Sequence, residues 1–474
     1  MQNNQHPQLS WQSGIITLIT ISLVAACTTS TPLPPTPSAV EEQPIAGGPV
    51  ILRAEIALRK VVEVGPGNIR LAINPVNGAV YMLNPIDGLY LVDLKAGITT
   101  LISPLADILP QSILTGLAVG PDGAVYIVSN LKFGDNLTVA SIRRGVADST
   151  GKFKWETLAS TEPYPTSNTP FDHNFNGLAI SPDGQWLYVN SGSRTDHGEV
   201  EDNDGAFNDT REVGLTAKIF RLPIDADRLS LPTQESELDA QGLIFARGVR
   251  NAYDLAFGPN GDLFAIDNGP DADYPDELNW IREDHHYGFP WRFGNQDNPQ
   301  QFFDYDSNKD QRLHSDFTAV KIGAYKNDPT FPKPPGDFTD PIINLGPDAA
   351  YYRGDDGGEY NAAAEGKPAY TFTPHRSPLG LVFATDPALP ADLRSDDRSL
   401  SAFLVNWGAA GGTLTDRGLD LLHLRLTKKG DNYEATVTQI ARDFKSPIDT
   451  SLIENRLYVL EYGDKAAVWE LTFK

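Results

Sequence analysis

Four short segments carry side chains whose types and spacing could do chemistry: Gln111, Asp172-His173, Arg250-Asn251, and the acidic and aromatic run from Glu277 to Tyr287. A histidine takes a proton near neutral pH, and a neighbouring carboxylate can orient it and raise its basicity. Asp172-His173 therefore suits a general base, although a loop histidine held by hydrogen bonds would read the same way. Arg250-Asn251 puts an always-charged fork beside an amide, which suits a carboxylate or quinone oxygen, or an ion pair between two parts of the fold. Gln111 stands five residues ahead of Gly116.

The elements that must position these residues repeat along the chain. Leu71 to Tyr81, Leu117 to Tyr126, Leu178 to Tyr188 and Leu255 to Phe264 each read as a small-apolar strand, a Pro-x-Gly turn and a second strand. A degenerate copy runs from Ile448 to Val459, and a sixth is implied near Leu379 to Trp407. Proline at the turn fixes φ and glycine supplies the left-handed residue that a tight hairpin needs. The copies lie roughly 45 to 75 residues apart, the length of a four-stranded blade with its loops. Lys218 to Leu222 and Leu421 to Leu426 read as outer strands. Helical periodicity is nearly absent. The expectation is an all-β, six-bladed β-propeller of four-stranded antiparallel blades over residues 53–474. An irregular Asp-, Pro-, Gly- and Tyr-rich loop insertion interrupts it at about 295–367. Each candidate segment then sits just before or just after the inner strands, on one face of the channel.

Composition narrows the function class. With 38 Lys and Arg against 62 Asp and Glu the net charge is −24, which repels phosphate backbones and anionic lipid, so nucleic acid is no expected partner. The single cysteine, Cys27, follows an apolar run from Gly14 to Ala26, too short to cross a bilayer but of signal-peptide length. Val24-Ala25-Ala26-Cys27 resembles a bacterial lipobox, in which the cysteine is acylated and becomes the mature N-terminus. The expectation is a lipoprotein signal peptide at 1–26 and a Thr/Pro/Ser-rich tether at 27–52. The protein would then be extracytoplasmic and touch the membrane only through a lipid on Cys27. Catalysis through a cysteine thiol is excluded.

These motifs resemble those of the soluble glucose/sorbosone dehydrogenase family, quinoprotein sugar dehydrogenases that use pyrroloquinoline quinone (PQQ) on a six-bladed propeller. The resemblance runs from about Val61 to Phe473. Asp172-His173-Asn174 with Leu178 and Pro182-Asp183-Gly184 is similar to the family's Asp-His-Asn-x-Gly-x-Leu-x-x-x-Pro-Asp-Gly, the glycine falling one place late at Gly177. Gly248-Val249-Arg250-Asn251 is similar to its Gly-x-Arg-Asn, and His375-Arg376-Ser377-Pro378-Leu379-Gly380 to the His-x-Ser-Pro-Leu-Gly of the sorbosone-type branch. The resemblance implies His173 as the base that takes the proton of the anomeric hydroxyl, with Arg250, Asn251 and Gln111 as contacts to cofactor and substrate. Asn268-Gly269-Pro270 and Asp276-Glu277-Leu278-Asn279…Tyr287-Gly288-Phe289-Pro290 are similar to the family's calcium segments. They imply Ca²⁺ held by Glu277, Tyr287, Gly269 and Pro270, a hard-oxygen set of the kind that ion needs. The family's late Lys and Arg clamp has only positional candidates, Arg376, Arg417, Arg442 and Lys445, and the branch's His-Gly-Ser-Trp-Asn is replaced from Asn406 to Gly412.

Two readings of function follow. The first is PQQ-dependent oxidation of an aldose-type sugar, with an external electron acceptor. The second is a redox-inactive, calcium-containing propeller that binds a sugar or a partner. Asp304-x-Asp306-x-Asn308-x-Asp310 starts like a second calcium loop, with Lys309 where glycine belongs and Ser315 where a bidentate Glu belongs. Glu199 to Asp209 reads as a solvated acidic run, and His285-His286 as a surface turn.

Overall fold

In the computed structural model, residues 47–409 and 411–474 are described; Cys27, the expected signal peptide at 1–26 and most of the expected tether lie outside them. The chain forms a six-bladed β-propeller. The repeated hairpins are the two inner strands of each blade. The inner strands are Arg70–Ile73, Ile113–Val119, Phe175–Ile180, Ala252–Phe257, Pro378–Phe383 and Pro447–Ile453. The turns close as their residues require: Gly123 sits at φ +82°, and Asp122 Oδ1 accepts the N–H of Ala124 at 3.0 Å.

Lys218–Pro223 and Asp420–Lys429 are third strands of the third and fifth blades. Two departures from a uniform set of blades matter. The fourth blade has three strands, Ala252–Phe257, Leu263–Asp267 and Glu277–Ile281. Its outer place is taken by irregular chain, where Ile342 N–H donates to Leu278 O and Asp276 bridges Phe372. The sixth blade is closed by the start of the chain, Ile56–Val64 pairing antiparallel with Ala466–Phe473. Val50–Ile51, within the stretch read as tether, pairs antiparallel with Arg442 and Ala441 at the edge of the fifth blade.

Five of the six inner strands carry a bulge at the same level, at Leu114/Gly116, Phe175/Leu178, Ala252/Asp254, Pro378/Gly380 and Pro447/Asp449. A bulge twists the strand and re-aims one side chain. Two of these positions bear carboxylates that bond the next inner strand: Asp254 Oδ2 accepts from Leu381 N at 2.9 Å, and Asp449 Oδ2 from Leu71 N at 2.6 Å. Arg70 spans the channel between them. It donates to the carbonyls of Thr115 (3.1 Å) and Tyr253 (2.7 Å), with its guanidinium 3.7 Å from the Tyr253 ring. The apolar core lies between blades, as where Tyr164 of the second blade meets Phe175 of the third at 6.2 Å and Phe403 of the fifth stacks on Phe473 of the sixth at 5.0 Å.

The insertion is irregular, with short elements. It holds a one-turn helix at Thr318–Lys321 and a hairpin of Tyr351–Arg353 with Glu359–Asn361. Ile343–Pro347 lies parallel to the outer strand of the fifth blade.

Candidate active site and metal cavity

In antiparallel blades the start of the first strand and the end of the second lie at the same end. His173 precedes one inner strand, Arg250 precedes the next, and the segment after Ser191 falls between them. Ser193 joins all three. His173 N–H donates to Ser193 O at 3.0 Å, Ser193 N–H donates to Arg250 O at 2.6 Å, and His173 Nδ1 lies 3.2 Å from Ser193 Oγ. The approach requires glycine at 192: a Cβ there would stand 2.3 Å from His173 Cβ.

His173 is half-buried, and burial with the nearby Arg250 charge pushes its ring down to about 3, so it is neutral at pH 7. A neutral imidazole can accept a proton. Asp172 does not orient it. Successive side chains point to opposite sides of an extended segment, and the Asp172 carboxylate turns away to accept the N–H of Ser167 at 2.7 Å. Burial pushes that carboxyl up to about 6. The orienting group, Ser193, escaped the sequence reading because nothing in a local pattern marks a serine twenty residues away.

Arg250 and Asn251 are buried and held by their backbones, both N–H groups donating to Asp267, at 2.8 and 2.5 Å. Arg250 gives Nε and Nη2 to the carbonyl and carboxylate of Asp196, each at 2.7 Å, and Nη1 to Asn268 O at 3.2 Å. Each terminal nitrogen carries a second hydrogen beyond those bonds. Asn251 accepts from Asn176 Nδ2 at 2.9 Å and donates to Asn268 Oδ1 at 3.1 Å. Burial opposes the charge of Asp196, yet Arg250 and His197 hold its carboxyl well below the usual range. Tyr325, from the insertion, stacks on His197 at 3.7 Å and donates its hydroxyl to Asp196 at 3.2 Å. Asp196, like Ser193, gave no sequence signal.

Gln111 precedes the inner strand Ile113–Val119, at the same end as His173 and Arg250. It is exposed, with φ at +65°, and lines a groove of about 460 Å³ with Ile86, Tyr90, Leu101 and Leu105; no hydrogen bond links it to His173, Arg250 or Asn251. Among the late cations, Arg376 is buried in ion pairs with Asp416 and Asp420. Arg417 and Lys445 are exposed in loops at the same end of the fifth and sixth blades. Arg442 ends the fifth blade and pairs with Asp443 at 2.5 Å.

Glu277, Gly269 and Tyr287 come together around a cavity of about 10 Å³, shared with Asp267 and Arg250. That is room for one water-sized body. Glu277 accepts from Gly294 N at 2.6 Å and Asn279 Nδ2 at 2.9 Å, while the Oδ1 of Asn279 is buried without a partner. Burial first, and then the Asp267 charge, pushes the Glu277 carboxyl up to about 8. Two buried carboxyls facing a small cavity have the donor chemistry a hard cation uses. Pro270 does not line it; its carbonyl accepts from Ala272 N at 2.7 Å. No group of three His, Cys, Asp or Glu side chains suited to a metal occurs among the described residues, so a cation here would need main-chain oxygens.

The other candidates close on themselves. Asp306 pairs with Lys309 at 3.0 Å, and Asp310 accepts from Tyr305 at 3.0 Å. His285-His286 is a two-residue strand beside Ala246–Arg247; His285 bonds Thr339 and His286 accepts from Gly288 N. The acidic run is only partly solvated: Glu199 is buried and accepts from the N–H groups of Asp196 and His197.

The six-bladed β-propeller is the fold this chain shares with proteins of known structure. Residues 111–313 match the family model described as Glucose / Sorbosone dehydrogenase. The soluble aldose sugar dehydrogenase of Escherichia coli, solved in the apo form, superimposes with a TM-score of 0.54 at 15% identity, over 88% of this chain and 100% of that one. A structure titled glucose dehydrogenase gives 0.56 at 16% identity, over 87% and 99%. The holo form of the pyranose dehydrogenase PQQ domain from Coprinopsis cinerea gives 0.54 at 14% identity, over 89% and 96%. At these identities the structures establish the shared fold. No curated protein sequence matches the chain.

Proposed function

We propose that the protein is an oxidoreductase acting on sugars, and specifically a PQQ-dependent quinoprotein that oxidises an aldose-type sugar at the anomeric carbon. The observation that carries this is the half-buried, neutral His173 fixed beside Arg250 through Ser193. His173 takes the proton of the anomeric hydroxyl at Nε2. Arg250 and Asn251 hold the carbonyl end of the cofactor through their remaining N–H groups, and Arg417 and Lys445 are the exposed cations left for its carboxylates. When bound, the quinone supplies the two-electron acceptor, which an external acceptor then reoxidises. Ca²⁺ is held by Glu277 with the carbonyls of Gly269 and Tyr287, and braces the loop after the second strand of the fourth blade. The extracytoplasmic lipid anchor at Cys27 completes the proposal; Cys27→Ser would move the protein from the membrane fraction to the soluble one.

A second reading has its own support. Asp196 neutralises Arg250, and Asp416 with Asp420 neutralises Arg376, which lowers the positive charge offered to an anionic cofactor. On that reading the propeller binds sugar or a partner without redox chemistry. Reconstitution with PQQ and Ca²⁺, followed by dye reduction across a panel of sugars beside His173→Ala, separates the two. Bound quinone absorbance with activity above the variant's supports the first reading. Absence of both supports the second.

A further inference from the structure

We propose that Ser193 holds the imidazole proton of His173 on Nδ1 and so leaves Nε2 as the proton-accepting nitrogen, making Ser193 a positioning residue; its catalytic meaning rests on the reading of His173 as base. The count of hydrogens at the hydroxyl requires this. A serine hydroxyl has one hydrogen to donate. Ser193 Oγ lies 2.7 Å from the carbonyl of Thr195, an atom that can only accept, so the hydrogen lies on that line. Toward His173 Nδ1, at 3.2 Å, the same oxygen can then only accept, and Nδ1 must carry a hydrogen. Ser193 is 1% exposed, so solvent does not offer the hydroxyl another partner.

The carbonyl that takes the hydroxyl proton is itself anchored. Thr195 donates from its N–H (2.9 Å) and its hydroxyl (2.5 Å) to Glu212 Oε1, and Glu212 Oε2 accepts from Arg194 N at 2.9 Å. The Ser193 main chain bonds both His173 N–H and Arg250 O. The ring is thus fixed from Glu212 through Thr195 and Ser193. A hydroxyl is neutral, so it orients the ring without the gain in basicity that a carboxylate in its place would bring. The charged groups acting on the ring are Arg250, which disfavours the imidazolium, and Asp196, which favours it.

The test is the ¹⁵N spectrum of the purified, ¹⁵N-histidine-labelled protein, with the His173 signals assigned by their loss in His173→Ala. The expected result is a neutral ring protonated at Nδ1 and bare at Nε2 near pH 7. Ser193→Ala should give a mixture of tautomers and a loss of roughly ten- to a hundred-fold in kcat for sugar oxidation. Ser193→Thr, which keeps the hydroxyl, should restore the single tautomer, and Ser193→Asp should move the ring's titration upward. A wild-type ring protonated at Nε2, or a tautomer unchanged in a folded Ser193→Ala, overturns the proposal. The spectrum is read without sugar or cofactor, so an enzyme assay that fails altogether refutes the base reading and leaves the proton assignment standing.

Discussion

Arg250 is gripped twice by Asp196, its Nε bonding the Asp196 carbonyl and its Nη2 the carboxylate, both at 2.7 Å and both buried. Asp196 in turn receives the hydroxyl of Tyr325 from the insertion. The arginine and the long insertion are therefore parts of one hydrogen-bonded unit. Removing one partner of a buried pair leaves a charge without compensation, a loss of about 3–5 kcal/mol. Asp196→Asn keeps the shape and removes the charge; it should lower unfolding stability in urea by about 3 kcal/mol, near the low end because Asp271 and Asp267 also face the guanidinium. A variant as stable as the parent would mean that the pair contributes little.

His173→Ala should leave the melting temperature nearly unchanged and lower sugar-dependent dye reduction roughly a hundred- to ten-thousand-fold, the range for a positioned proton acceptor. Because its ring sits at about 3, the wild-type rate should show no imidazole limb between about pH 5 and 8. A limb near pH 6.5 that disappears with His173 would contradict the environment described for the ring.

Glu277 gives the calcium proposal a pH signature. Its carboxyl is raised from 4.5 to about 8, so the folded protein holds a proton that the unfolded chain releases. Stability without metal should therefore fall as pH rises from about 4.5 to 8, with a slope of up to about 1.4 kcal/mol per pH unit from this group. Ca²⁺ should remove that part of the loss by favouring the carboxylate. Glu277→Gln should flatten the slope by one proton and abolish stabilisation by Ca²⁺, read by thermal melts at pH 5 and 8. Equal calcium stabilisation of variant and wild type would place any ion elsewhere.

In the channel, Arg70 is the cation beside two carboxyls, Asp254 and Asp449, both raised by burial. Arg70→Met should destabilise the fold by about 3 kcal/mol at pH 8 and by less at pH 5, where both carboxyls are protonated. Urea titrations at the two pH values check this. A loss independent of pH would point to packing against Tyr253 as the whole effect.

How much of this was legible before the fold was seen differs from residue to residue. Pro121-Asp122-Gly123 and its relatives fix four hairpins by backbone conformation alone, and a degenerate copy with one implied by spacing brings the count to six blades. His173, Arg250 and Glu277 were equally visible, because their neighbours in sequence form motifs. The closing strand Ile56–Val64 and the three-stranded fourth blade were not, since strand pairing across four hundred residues leaves no local trace.

The sequence by itself determined the repeat, the propeller and the chemical types at the site, for these follow from turn conformation and side-chain chemistry, which are local properties. Only the tertiary structure decided their partners. It turned Asp172 away from His173 and put Ser193 in its place, set Asp196 against Arg250, and withdrew Arg376 into the core. The physical reason is that hydrogen bonds and ion pairs act over about 3 Å in space, whereas a sequence records only which residues are adjacent along the chain.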